Sequence, residues 1–394
     1  MNPKPIKPAQ PGVLLALLLV ALNLRPALAS LGPVLESVRG DLQLSYGMAG
    51  LLTSLPVICI GLFAPATLPL NRCFGARLII LGATLIIGIA TLLRLHVSVM
   101  AQVGSTLLIG MCLAVLSPLL NMYIKQEFPQ RSTRISSWVA TALCLGAAIG
   151  AVGTAPLSDH LGWPMALASW AVLAFIAAWC WQHVTAGKPP VMNARSTAPM
   201  PWRQPRAWLL MLVFGLHSLV FFALLAWLAP AYIGLGLSAA SAGQLLGVFT
   251  LLQLAGTLLV SLLPSQPRDR RPALMLGGAC TVAGLLGTWL APLSAPVLWM
   301  SLLGAGTAGL FALALILPLD YSDSAESAGS WTAMMCSGGY LISALGPYVC
   351  GALREATGSY RSVFAALCLI SSCALLLCVL LGPIRSRSLS AHAL

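Results

Sequence analysis

The 394-residue chain is 59% hydrophobic and only 8% charged, with a mean hydropathy of +0.92; a soluble domain carries about a quarter charged residues, so this chain is solvated by lipid rather than water. Its net charge of +12 does not signal nucleic acid, because the basic residues sit in short loops between apolar runs. The 11 cysteines are scattered singly with no C-x-x-C pair, and read as small core hydrophobes rather than disulfides, metal ligands or cofactor anchors.

The N-terminus imitates a signal peptide, with Lys4 and Lys7, an apolar run and then Ala27-Leu28-Ala29. The run is too long for such a peptide and carries Arg25, so a retained first span is expected. Arg25 lies mid-span, roughly 18 Å of helix from either end, beyond the reach of a snorkelling side chain. A charge at that depth costs a few kcal/mol unless protein, water or a bound anion satisfies it. Two readings follow, an anion or substrate anchor and an arginine packed on helix-end carbonyls. Ala21, Ala29 and Gly32 fall on the same helical face and are expected to leave open space around it. Pro26 withholds a donor from the Leu22 carbonyl.

Apolar windows long enough to span a bilayer recur twelve times, at 12–35, 47–70, 77–95, 98–123, 135–157 and 163–184, then 207–232, 241–263, 272–291, 295–319, 327–352 and 359–383. The expected fold is an all-α membrane protein of 12 transmembrane helices. Residues 1–184 form one six-helix bundle and 207–394 a second, with the basic, Pro-rich stretch 185–206 as a linker. Counted by loop, sixteen Lys and Arg fall on the side of the termini and four (Arg39, Arg94, Arg354, Arg361) on the other. That asymmetry predicts cytoplasmic termini. Trp138 to Gly146 parallels Trp331 to Gly339 at an offset of 193 residues, as a parallel pseudo-repeat of two bundles requires.

Particular stretches carry a resemblance. Leu22-Asn-Leu-Arg-Pro26, Leu31-Gly-Pro33 and Leu51-Leu-Thr-Ser-Leu-Pro56 open it; Ala226-Trp-Leu-Ala-Pro230, Gln253, Leu317-Pro-Leu-Asp320, Gly346-Pro347 and Gly351-Ala-Leu-Arg354 continue it. The chain resembles the major facilitator superfamily and, within it, the cyanate and nitroimidazole transporter family, over essentially its whole length. In the superfamily's loop between the second and third spans, Gly75 and Arg77 match, whereas Arg72 stands where an acidic residue is usual.

The resemblance implies a central cavity lined by spans 1, 4, 7 and 10, with 2, 5, 8 and 11 beside them. Polar residues at mid-depth there give the candidate site. Arg25 is its cationic anchor. His217 is either an anion donor and proton carrier or a histidine bonded to a nearby carbonyl. Gln253 binds substrate or cross-links helices, and Tyr340 caps the cavity or fills space beside Gly338 and Gly339. Ser117 and Asn121 are weaker members, and Asp320 reads as a gate or salt-bridge partner. Gly146, Gly150 and Gly153 form a stripe for close helix approach.

The expected function is a transporter, secondary active or facilitative, moving a small anionic or polar solute of the cyanate type across the bacterial inner membrane by alternating access. An efflux carrier for small nitroaromatic or drug-like compounds is the alternative, with Phe221, Phe222, Trp227 and Tyr340 as an aromatic wall. A non-transporting sensor and an intramembrane enzyme fit less well, since no large extramembrane domain and no catalytic constellation stands out. The expected partners are the solute, the bilayer and, if transport is coupled, a proton; neither nucleic acid nor a metal is expected.

Overall fold

A computed structural model describes residues 11–185, 200–261, 270–321 and 325–381, in which every regular element is a helix. The first half contains α1 (Pro11–Leu24), α2 (Pro26–Ala29), α3 (Leu31–Asp41), α4 (Tyr46–Phe63), α5 (Thr67–Leu93), α6 (Val99–Glu127), α7 (Ser132–Leu161), α8 (Trp163–Ala168) and α9 (Ala171–Thr185). The second contains α10 (Pro205–Gly234), α11 (Ala239–Ser261), α12 (Arg271–Leu290), α13 (Pro296–Tyr321), α14 (Ala325–Ser343), α15 (Leu345–Thr357) and α16 (Tyr360–Leu380). Lys4, Lys7 and most of the 185–206 linker lie outside the described residues, as does the side chain of Asp320.

Among the described residues, eleven stretches are long and apolar enough to cross a bilayer, and one of them, Tyr46–Leu93, is 48 residues long. Gly75 breaks it with φ 75°, a left-handed conformation open to glycine. Two crossings meet there, making the expected twelve. Ser45 and Ser98 cap α4 and α6 by accepting from the Met48 and Ala101 amides at 3.2 Å. Inside the spans, Thr84, Thr91, Thr281 and Thr288 donate to carbonyls four residues back, which satisfies hydroxyls that lipid cannot.

The repeat is visible in the packing. A side chain on Gly146 would meet the Leu22 carbonyl of α1, while one on Gly339 would meet Phe214 and the Gly215 amide of α10. Each half therefore seats its fifth span on its own first span through a glycine, at the register the sequence offset predicts. Leu22 and Gly215 are themselves 193 residues apart.

Three apolar cores divide the molecule. One is shared by both halves and joins Val34, Leu35 and Leu52 to Leu224, Leu228, Leu246 and Phe364. The other two belong to single halves, one around Leu17, Ile80 and Trp181, the other around Leu210, Leu313 and Met335. The halves are thus fused at the end bearing residues 36–50 and 345–360, and cored separately toward the end that bears the linker.

Polar contacts latch the fused end. Tyr360 donates to Glu36 at 2.7 Å across the halves, and Glu36 also pairs with Arg39 at 2.9 Å. The Gly47 amide donates to Glu355 at 3.1 Å. The Tyr46 ring lies between two guanidinium groups, Arg39 at 4.2 Å and Arg354 at 5.0 Å. The Trp227 indole donates to the Pro347 carbonyl at 2.8 Å, beside Gly50 and Gly351, where added side chains would strike the Pro347 and Tyr46 carbonyls.

Candidate functional site

The site is built on a break in the first span. Helix α1 stops at Leu24, Pro26 cannot donate, and the chain resumes in α2 with Arg25 at the junction (φ −94°, ψ −31°). Both the Leu28 and Ala29 amides close onto the Arg25 carbonyl at 3.0 Å, so the backbone there is satisfied locally despite the break. Helix α7 fits against this break because of its glycines. A Cβ at Gly146 would strike the Leu22 carbonyl oxygen, and one at Gly150 would sit 2.9 Å from the Pro26 Cα. The stripe read from sequence packs there as two residues on α2 and its approach, while Gly153 faces Trp170 instead.

The space expected around Arg25 is partly filled. Ala21 and Ala29 are fully buried, and a Cβ on Gly32 would lie 2.7 Å from the Leu225 carbonyl. At Gly32 the missing side chain lets α10 come close, whereas Ala21 is taken up in the first half's own core. Toward the second half, the half-buried Arg25 guanidinium lies 5.9 Å from the Phe221 ring centroid. Among the described residues, no hydrogen-bond acceptor or carboxylate pairs with it.

Aromatic rings continue the wall. Phe221 stacks on Phe249 at 5.8 Å and meets Phe222 edge-on at 5.1 Å. Phe222 contacts Tyr340 at 6.3 Å, and Tyr340 stands edge-on to Phe214 at 5.3 Å. Tyr340 is wedged between two rings of α10, whereas Gly338 and Gly339 face Met211 and Phe214. Gln253 is half-buried one turn beyond Phe249, and the Thr257 hydroxyl donates to its backbone carbonyl at 2.9 Å. The amide side chain has no hydrogen bond among the described residues.

The other candidates stand apart. His217 is buried and its Nε2 lies 2.8 Å from the Thr307 carbonyl, which can only accept, so that nitrogen carries the proton and ties α10 to α13. Ser117 and Asn121 are exposed on α6, with the Asn121 amide donating to the Ser117 carbonyl at 3.3 Å. None of the contacts described joins them to the Arg25 group. Asp320 stands one residue before the end of α13.

A second buried arginine escapes sequence reasoning. Arg94, counted with the loop charges, is 2% exposed and turns inward at the end of α5. Its Nε donates to Ser105 at 3.2 Å and its Nη2 to the Ala27 carbonyl at 3.2 Å, two residues beyond Arg25. The signal was its setting, Leu92-Leu93-Arg94-Leu95, which continues an apolar run without a polar break.

Apolar spans in two six-helix bundles, joined at one end by a shared core and polar contacts, are the architecture of a membrane carrier. Residues 14–344 match the family model described as Major Facilitator Superfamily. The chain belongs to that superfamily and, within it, to the cyanate and 2-nitroimidazole transporter family; it is a transporter and not an enzyme. It is 35% identical to the cyanate transport protein CynX of Escherichia coli (strain K12), covering 91% of this chain and 94% of that one. It is 29% identical to the 2-nitroimidazole transporter of the same organism, covering 90% and 91%. Among solved structures, a bacterial homolog of the human lysosomal transporter Spinster, inward-facing and occupied, superposes with a TM-score of 0.76 at 17% identity, covering 95% and 97%. A D-xylose-proton symporter does so at 0.75 and 14%, covering 95% and 98%.

Proposed function

We propose that the chain moves a small anion of the cyanate type across the bacterial inner membrane by alternating access, with both termini cytoplasmic. The orientation rests on the bias of Lys and Arg, sixteen against three once the buried Arg94 is set aside. The substrate class rests on one observation above all, the half-buried Arg25 guanidinium at a helix break, which has no carboxylate or acceptor among the described residues. A planar fork of donors at membrane depth suits a small linear or planar anion, which would supply the missing counter-charge. Gln253 and Tyr340 join it from the second half, one as an amide donor and the other as a hydroxyl. Ser117 and Asn121 would meet the solute nearer the linker end. Asp320 is proposed as a salt-bridge partner near the linker end. His217 is proposed as the tie between α10 and α13 that holds the aromatic wall; carrying a coupled proton would require breaking its bond to Thr307.

The ring cluster of Phe221, Phe222, Phe249 and Tyr340 favours a second reading, a carrier for small nitroaromatic compounds, with Arg25 placed over a ring rather than on a carboxylate-like group. One experiment separates the two. The thermal shift of purified protein and its flux in liposomes are measured with cyanate and with 2-nitroimidazole, for wild type and Arg25→Gln. Losing charge-assisted bonds worth about 1.5–3 kcal/mol should weaken cyanate binding about ten- to a hundredfold. A response to the nitroaromatic alone, retained in the variant, would replace the anion reading by the second.

A further inference from the structure

We propose that Arg94 is a second anion station, placed on the latch side of Arg25 and filled when the latch opens. This inference rests on the anion reading of the central site. Two arms of the Arg94 guanidinium are fixed, one on Ser105 and one on the Ala27 carbonyl, while the third nitrogen, Nη1, is buried without an acceptor. Among the described residues no carboxylate pairs with it. A helix stitch to one hydroxyl and one carbonyl needs no permanent charge; a guanidinium with a bare arm is a counter-charge waiting for its anion.

That arm is sealed in the closed state, and a small cavity borders the same side chain. Arg94 lines a cavity of about 20 Å³ together with Thr53, Thr106, Leu28 and Gly32 from its own half and Phe222 and Leu225 from the other. That volume holds about one water molecule, too small for a three-atom anion while the halves are closed. Because the walls come from both halves, parting them at the latch enlarges this cavity. Phe222 is a shared wall, since its ring also contacts Phe221 and Tyr340 at the Arg25 pocket. Arg94 holds the backbone two residues from Arg25, so a solute leaving one cation meets the next within a short step along the same broken helix. The second station would lower the barrier for an anion entering or leaving on the latch side.

The test uses labelled cyanate and full-length protein in right-side-out and inside-out vesicles, with half-saturation measured from each face. Arg94→Gln should raise it about tenfold or more from the latch face and less than twofold from the other, while the cyanate-induced thermal shift of purified protein is kept. An equal change from both faces, or none, overturns the inference and makes Arg94 a stitch. If Arg94→Gln does not fold, Thr106→Val leaves every Arg94 bond in place and should raise half-saturation several-fold from the latch face alone; no change there overturns the inference as well. Cyanate flux that depends on Arg25 but shows no such asymmetry defeats only the second station. Wild-type protein without cyanate flux defeats the anion reading and this inference together.

Discussion

Replacing Tyr360 with Phe removes one hydroxyl from the latch and little else. The lost bond is 2.7 Å long and ends on the Glu36 carboxylate across the halves. Hydrogen bonds to charged groups are worth about 1.5–3 kcal/mol, but Glu36 keeps its 2.9 Å pair with Arg39, so no charge is orphaned. The ring keeps its contacts with Arg354 and Trp227. The loss is therefore about 1–2 kcal/mol, which changes the ratio of latched to unlatched molecules about 5- to 30-fold toward the unlatched state. Spin labels on cysteines introduced at Gly40 and Ala356, with exposed Cys73 and Cys373 replaced, report that ratio as short- and long-distance populations. Growth of the long-distance population is expected. An unchanged or smaller one would refute the claim that this bond holds the halves together.

Other outcomes follow from the same packing. Gly146→Leu places a side chain where even a Cβ would strike the Leu22 carbonyl, and overpacking of that kind costs about 1–3 kcal/mol or more, so folded yield and melting temperature should fall. Gly82→Ala, with nothing within 4 Å, is the control and should leave both measures unchanged or slightly raised. His217→Gln can still donate to the Thr307 carbonyl, and should keep both stability and the pH profile of transport; a profile that flattens in the variant would make His217 the coupling group.

Much of the architecture was legible because lipid imposes a linear signal. Each span is a contiguous apolar window, and Gly75 and Pro26 mark their breaks by chemistry local to the chain. The glycine stripe was equally readable, since residues four apart share a helix face. What sequence could not supply is docking between distant segments. Tyr46, Arg354 and Tyr360 read as ordinary ends of spans until the halves bring them together. Ala21, Ala29 and Gly32 suggested empty space, because what fills it comes from distant segments; α10, which closes on Gly32, begins about 170 residues later. Arg94 was misplaced because charge counting assigns a residue by its neighbours, whereas a long side chain at a helix end can turn back into the bundle, here to Ser105 and the Ala27 carbonyl.

The shared core carries a thermal consequence. Opening the fused end wets apolar side chains such as Val34, Leu52, Leu224 and Leu228 that are now dry, and closing the linker end dries others. Hydration of apolar surface raises heat capacity, so any mismatch between the areas wetted and dried gives the two states different heat capacities. The balance between them then drifts with temperature along a curve rather than a line, and turnover inherits that curvature. A carrier whose halves share grease at one end only is, by that asymmetry, also temperature-biased in the direction it rests.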